Sequence, residues 1–111
     1  MEFAILTNEI YKGTFEKTAK EIKNYKSLRK EDNPRDHMNE LEIILTMLGE
    51  ATTTEITKTN NSKTFPELAT DARKGGKIAG EAREKIELET KKKVMGKDNF
   101  LGNIKQKRIK K

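Results

Sequence analysis

Cysteine and tryptophan are absent from this sequence of 111 residues, and histidine occurs once, at His37. The lack of cysteine excludes a disulfide framework and thiolate chemistry. No apolar run approaches the roughly 20 residues of a membrane helix. The chain begins Met1-Glu2-Phe3, without the basic region of a secretory signal. These absences predict a cytoplasmic, non-enzymatic protein with no catalytic residue, no metal site and no cofactor.

Apolar residues are scarce at 32%, against 38% charged residues, so the core must be small. The net charge of +6 is uneven, because residues 91–111 hold nine cations and one acid while residues 1–90 carry −2. We therefore predict a helical domain, residues 1–90, and a basic, partly flexible tail, residues 91–111. Such a tail attracts nucleic-acid phosphates without reading sequence, although a merely solvated tail is the alternative. The candidate nucleic-acid contacts are Lys91, Lys92, Lys93, Lys97, Lys105, Lys107, Arg108, Lys110 and Lys111.

Apolar residues recur at three- and four-residue spacing, which predicts an all-α fold, a small bundle of four to five helices. The first helix begins near Phe3, and Gly13 is a natural stop for it. Thr18 stands three residues before Glu21, which is the capping-box pattern at the start of a helix. This second helix is expected to reach about Leu28.

Asn33 followed by Pro34 is typical of a helix start and predicts a central helix over residues 34–48. Its apolar stripe is wide, which is typical of the most buried helix of a domain. Gly49 closes or kinks this helix. The stripe consists of Met38, Leu41, Ile44, Leu45 and Leu48, widened by Ile43 and Met47.

The last helix, residues 65–90, is predicted to begin after a second capping box formed by Thr64 and Glu67. Each interior glycine costs a helix about 1 kcal/mol relative to alanine, so the glycines need a reason. We expect a close helix–helix approach, against the central helix or a second copy, because a homodimer would cover the surplus apolar surface. The candidate packing or dimer residues are Ala72, Gly75, Gly76, Ala79 and Gly80.

Residues 43–56 also resemble the first helix and turn of a helix-turn-helix unit, with the turn at Gly49-Glu50-Ala51. A groove-reading helix would then supply Asn60 and Asn61 as base contacts, but the stretch from residue 55 to 61 has one basic side chain, Lys58. A helix-turn-helix regulator therefore stays open as a further alternative.

Several blocks of the sequence resemble the DNA-damage-inducible protein D family, in the same order along the chain. The resemblance spans residues 3 to 101 and is to the C-terminal part of the family. The blocks are Phe3 to Gly13, Arg35 to Met38, Thr46 to Ala51, Thr53 to Ile56, Gly75 to Arg83, and Asn99 to Leu101.

The resemblance implies a role in the DNA-damage response, through inhibition or disassembly of recombinase filaments on single-stranded DNA. Family members normally carry an additional N-terminal region similar to the Bro-type DNA-binding domain of phages. This chain lacks it, which indicates a shortened form or a stand-alone relative of phage or prophage origin. The expected partner is thus a host protein, most plausibly the recombinase filament. The alternative is a phage-encoded interaction protein, such as an antirepressor or an inhibitor of a host defence complex.

Overall fold

Four α-helices and one short 3-10 helix make up the computed structural model, which describes residues 2–97 except for the side chains of Glu2 and Phe3. Within those residues there is no strand, and the predicted all-α class with four to five helices is confirmed. The elements are α1 (Glu2–Phe15), α2 (Ala19–Tyr25), the 3-10 helix (Pro34–His37), α3 (Glu40–Asn60) and α4 (Phe65–Thr90).

The two predicted capping boxes are present and set the starts of α2 and α4. Thr18 accepts a hydrogen bond from the Glu21 amide, and Thr64 does the same for the Glu67 amide. The predicted end of the first helix at Gly13 is wrong, since α1 runs on to Phe15. Gly13 instead allows α4 to approach, because a Cβ there would lie 2.5 Å from the carbonyl carbon of Gly76.

The predicted central helix over residues 34–48 is also wrong. Asn33 and Pro34 begin only a 3-10 helix, after which Met38 is extended, with φ −88° and ψ 147°. Asn39 then caps α3 by accepting from the Glu42 amide, while the Glu42 carboxylate accepts from the Asn39 amide. This reciprocal cap satisfies donors at the helix start and so resets the helix at residue 40.

α3 continues through Gly49 to Asn60 without a break. The turn that a helix-turn-helix unit needs at residues 49–51 lies inside this helix, where the backbone hydrogen bonds run on. Residues 43–56 therefore do not form the first helix and turn of a helix-turn-helix unit, as the sequence pattern had suggested. Asn60 is occupied instead, donating to a carboxylate oxygen of Asp71 on α4 at 3.3 Å.

α4 packs along both α1 and α3, and the core lies where these helices meet α2 and the segment after α4. Two core residues, Val94 and Met95, lie beyond residue 90, at which we had ended the domain. Within residues 2–97 none of the helices has the length and apolar character that crossing a membrane requires. The buried core consists of Tyr11, Phe15, Ile22, Met38, Leu45, Val94 and Met95.

Candidate functional site

An apolar stripe lies on the outer face of α3. It consists of Leu41, Ile44, Met47 and Leu48, whose exposed fractions lie between 37% and 55%. The expectation that this would be the most buried helix is wrong for these four residues. We call them the α3 stripe. Four neighbouring apolar side chains in water mark an interaction surface more often than chance exposure.

The opposite face of α3 explains why the stripe points outward. There Gly49 and Thr53 contact Gly75 of α4 so closely that a Cβ at Gly75 would lie 2.8 Å from the Gly49 carbonyl oxygen. Thr46, also on this inner side, is buried and donates to the Glu42 carbonyl at 2.8 Å. Small and hydroxyl side chains thus form the packed face, because they let α3 and α4 approach closely.

The first residue of the stripe borders a groove between the start of α3 and the end of α4. This groove has a volume of about 420 Å³ and contains Leu41 and Ile86 on its apolar side. Lys92, Lys93 and one acid, Glu40, also line it. The α3 stripe and the first cations of the basic segment therefore meet in one groove.

A set of hydrogen bonds, which we call the clasp, holds the backbone of residues 94–96 on the bundle. The Val94 amide donates to Glu87 at 2.9 Å, and its carbonyl accepts from the Asn39 side chain at 3.2 Å. Lys26 donates from its ammonium group to the Gly96 carbonyl at 2.8 Å. Because these bonds fix residues 94–96, the cations before them have defined positions.

At the centre of the clasp, Lys26 forms an ion pair with Glu42, with nitrogen–oxygen distances of 3.0 and 3.1 Å. Both side chains are essentially inaccessible to solvent, at 1% and 0% exposed. A buried ion pair of this kind is costly to break from one side, because the remaining charge has no compensation. The pair joins α2 to α3 and, through Gly96, to the segment after α4.

The predicted nucleic-acid contacts divide into two groups. Lys91, at the C-terminal cap of α4, and its neighbours Lys92 and Lys93 are exposed. The ammonium group of Lys97 lies 5.7 Å from the centre of the Tyr25 ring. Outside the described residues lie Lys105, Lys107, Arg108, Lys110 and Lys111, and with them the predicted flexibility of the tail beyond residue 97.

All five predicted small-residue positions, Ala72, Gly75, Gly76, Ala79 and Gly80, are buried within one chain. Gly76 and Gly80 face α1, where added Cβ atoms would meet the carbonyl oxygens of Ile10 and Gly13, and Gly75 faces α3. We call the contact of Gly13, Gly76 and Gly80 the glycine seam. Because α1 and α3 cover these positions, a second copy of the chain would not reach them.

Two of the acidic side chains that could serve as metal ligands form ion pairs with different cations. Glu42 belongs to the clasp, and Glu50 pairs with Arg35 of the 3-10 helix. His37 lies in that 3-10 helix, and no group of three or more potential metal ligands occurs among residues 2–97.

These features define a small all-α protein that presents an apolar stripe beside a basic segment. The model of the DinD C-terminal domain family matches residues 1–101, and the chain belongs to that family. The resemblance found in the sequence is thereby confirmed, and the family is one of DNA-damage-inducible proteins. No curated protein and no solved structure matches the chain significantly.

Proposed function

We propose that this protein is a non-enzymatic modulator of the DNA-damage response, which binds recombinase filaments on single-stranded DNA and inhibits or disassembles them. In this proposal the α3 stripe contacts the recombinase, and the basic segment follows the DNA that the recombinase coats. The site of action is then the bacterial cytoplasm. Membership of a DNA-damage-inducible family supports the biological setting.

The observation that carries the proposal is the groove that is lined both by apolar side chains, Leu41 and Ile86, and by cations, Lys92 and Lys93. A surface that combines apolar and cationic side chains is complementary to a protein–DNA complex. A bare protein would satisfy its apolar half, and a bare polyanion its cationic half. Both halves are used at once where protein and phosphate backbone lie side by side.

The distribution of charge supports the same partner. Residues 91–111 hold nine of the cations, whereas residues 1–90 carry a net charge of −2. The basic segment, residues 91–111, therefore supplies most of the attraction to phosphates, while the body as a whole, at −2, supplies little. This polarity orients the chain, with the segment toward DNA and the α3 stripe toward the protein that surrounds it.

A recombinase surface fits the α3 stripe better than a second copy of this chain does. Leu41, Ile44 and Leu48 follow the spacing at which a helix presents anchors to a partner's groove. A stable protein–protein interface buries about 800 Å² on each partner, so the contact must extend beyond these side chains onto the neighbouring surface. The predicted homodimer also loses the Gly76 and Ala79 surface, because that surface is buried.

The test compares two full-length double variants for binding to preformed filaments, with Ile44→Ser/Met47→Ser on the α3 stripe as the first. The matched control is Ile5→Ser/Ile78→Ser, which removes two apolar side chains that are 43% and 44% exposed from α1 and α4. We expect the stripe variant to bind at least about tenfold more weakly, as the loss of interface anchors does. The control should bind within about twofold of the wild type, and both variants should keep its melting temperature.

Equal binding by the two double variants would refute the α3 stripe as the recombinase contact. The contribution of the tail is measured with the same filaments by replacing its five terminal cations with glutamine. Unchanged binding of that variant at every salt concentration would refute the DNA contact. Tight binding to one host protein that is unaffected by DNA would favour the alternative, an inhibitor of another host complex.

A further inference from the structure

A cavity of about 600 Å³ between α1 and α2 has no part in the surfaces described so far. Three lysines and two asparagines contribute its polar lining, and no carboxylate lines it. Two apolar side chains complete the wall. The lining residues are Asn8, Ala19, Lys20, Lys23, Asn24, Leu28 and Lys30.

Hydrogen bonds across the cavity fix its shape. The Asn8 side-chain oxygen accepts from the Ala19 amide at 2.9 Å, which seats the start of α2 on α1. The Lys23 ammonium donates to the Lys30 carbonyl at 2.7 Å, and the Leu28 amide donates to the Lys23 carbonyl at 2.8 Å. The loop after α2 is therefore folded back onto its helix, which brings Lys30 beside Lys20 and Lys23.

The positive charge of this cavity is not cancelled by neighbouring acids. Within residues 2–97, none of its three lysines forms an ion pair. The nearest acids in sequence have other partners, since Glu21 accepts from the Thr18 amide, and Glu31 and Asp32 both pair with Arg29. Uncompensated lysines in a concave site concentrate anions there.

Tyr25, the last residue of α2, does not line the cavity but lies close to two further cations. The ammonium groups of Lys17 and Lys97 lie 4.8 and 5.7 Å from the centre of the Tyr25 ring. One tail cation, Lys97, and Lys17, which precedes α2, thus lie close to the same ring.

We propose that this cavity binds a nucleotide unit of single-stranded DNA, with Lys20, Lys23 and Lys30 on the phosphates. The apolar wall of Ala19 and Leu28 contacts a sugar or a base, and the asparagines donate to polar atoms. An unstacked nucleotide enters a concave site, whereas a duplex presents a convex face to it. The identity of the ligand rests on the proposed function, but the contact is separate from the tail.

The test is the anisotropy of a labelled oligothymidylate 20-mer with full-length protein over a range of salt. The cavity variant is Lys20→Gln/Lys30→Gln, since Lys23 also holds the loop. The control, Lys74→Gln/Lys85→Gln, removes two exposed cations from α4, outside the cavity. We expect at least about fivefold weaker binding for the cavity variant, and a salt slope smaller by about 1.4, since each lost phosphate contact removes about 0.7.

The control should bind within about twofold of the wild type. Equal losses of affinity for the cavity variant and the control would overturn the cavity as a DNA site. If only the variant without the five terminal cations then loses binding, the DNA contact of the proposed function still stands. A loss confined to the cavity variant supports the cavity and contradicts the tail. If the wild type does not bind the oligothymidylate at low salt, both the cavity and the tail are overturned as DNA contacts. If polyglutamate competes as well as DNA does, the cavity is overturned as a nucleic-acid site.

A second measurement makes use of the absence of cysteine. Asn24→Cys, carrying a photoreactive maleimide, places a single crosslinker on the cavity wall. Crosslinking to the oligothymidylate should exceed that of the same label at Lys85→Cys on α4 several-fold. It should also exceed crosslinking to a duplex of equal length. Equal yields at the two positions would overturn the site.

Discussion

The glycine seam and the clasp hold the same bundle together by opposite means. In the seam, backbone meets backbone, and a Cβ at Gly76 would lie 2.8 Å from the Ile10 carbonyl oxygen. In the clasp, the charged side chains of Lys26 and Glu42 reach across buried space to each other and to Gly96. The seam therefore fails when atoms are added, and the clasp fails when atoms are removed.

The largest effect is expected when one charge is taken from the clasp. Lys26→Met leaves the Glu42 carboxylate buried without its cation, which typically costs about 3–5 kcal/mol. Urea denaturation followed by circular dichroism measures this loss. Hydrogen exchange at the Val94 amide should accelerate as well, because the clasp holds that segment. Lys20→Met, at an exposed position of α2, is the control and should change stability by less than about 0.5 kcal/mol.

A double variant shows whether Lys26 stabilises the protein through its ion pair with Glu42. Glu42→Gln alone leaves Lys26 uncompensated, whereas Lys26→Met/Glu42→Gln leaves no buried charge. The double variant should therefore be more stable than the sum of the two single losses implies, by about 1 kcal/mol or more. Additive losses would contradict the direct coupling of the two side chains.

The next effect belongs to the glycine seam and has an unusual sign. Alanine in a helix interior is normally more stable than glycine by about 1 kcal/mol. Gly80→Ala should nevertheless destabilise the protein by about 2 kcal/mol, because its Cβ would collide with the Gly13 carbonyl oxygen and the backbone must move. Thermal and urea unfolding measure the change.

Gly49→Ala is the matched control for the seam, since it makes the same substitution inside another helix. Its Cβ would meet side-chain atoms, with the nearest at 2.9 Å in Ile10 and the next at 3.2 Å in Thr14. These β-branched side chains are stiff, but the contacts are longer than the backbone collision at Gly80, so the loss should be smaller than that of Gly80→Ala. If Gly80→Ala and Gly49→Ala destabilise the protein equally, close backbone contact does not explain the sensitivity of the glycine seam.

Local signals in the sequence predicted the helices well where they had no competitor. Thr18 and Thr64 each stand three residues before a glutamate, and both capping boxes formed. The same pattern, with asparagine in place of the hydroxyl, occurs at Asn39 and Glu42, and reading it would have placed the start of α3. Asn33 and Pro34 also match the pattern of a helix start, but they support only a 3-10 helix.

Signals that depend on distant residues could not be read from the chain. Apolar spacing located the residues of the α3 stripe. It did not show that the small-residue face of α3 would be the face that packs on Gly75. The clasp joins Lys26 to residues 16 and 70 positions away, so no window of sequence contains it. Interior glycines drew attention to α4, yet the helix that Gly76 and Gly80 face is α1, not the predicted central helix.

The smallest expected effect concerns Asp71, a charged link between α4 and the end of α3 that differs from the seam in depending on pH. Hydrogen bonds from Ser62 above all, then from Thr57 and Asn60, hold the pKa of Asp71 below its usual value of 3.8. A carboxyl group with a lowered folded pKa stabilises the protein above its unfolded pKa. That contribution is lost as the pH falls through the lower folded value.

Asp71→Asn should therefore be less stable than the wild type at neutral pH, and this gap should narrow as the pH falls below about 3.8. Urea unfolding over a pH series measures the gap. Titration of the Asp71 carboxyl group by NMR should show its pKa rising more in Ser62→Ala than in Thr57→Val, because the Ser62 hydrogen bond has the larger effect. If the stability difference between the wild type and Asp71→Asn stays constant down to acidic pH, the charge of Asp71 does not contribute to it. The link would then depend on geometry alone, as the seam does.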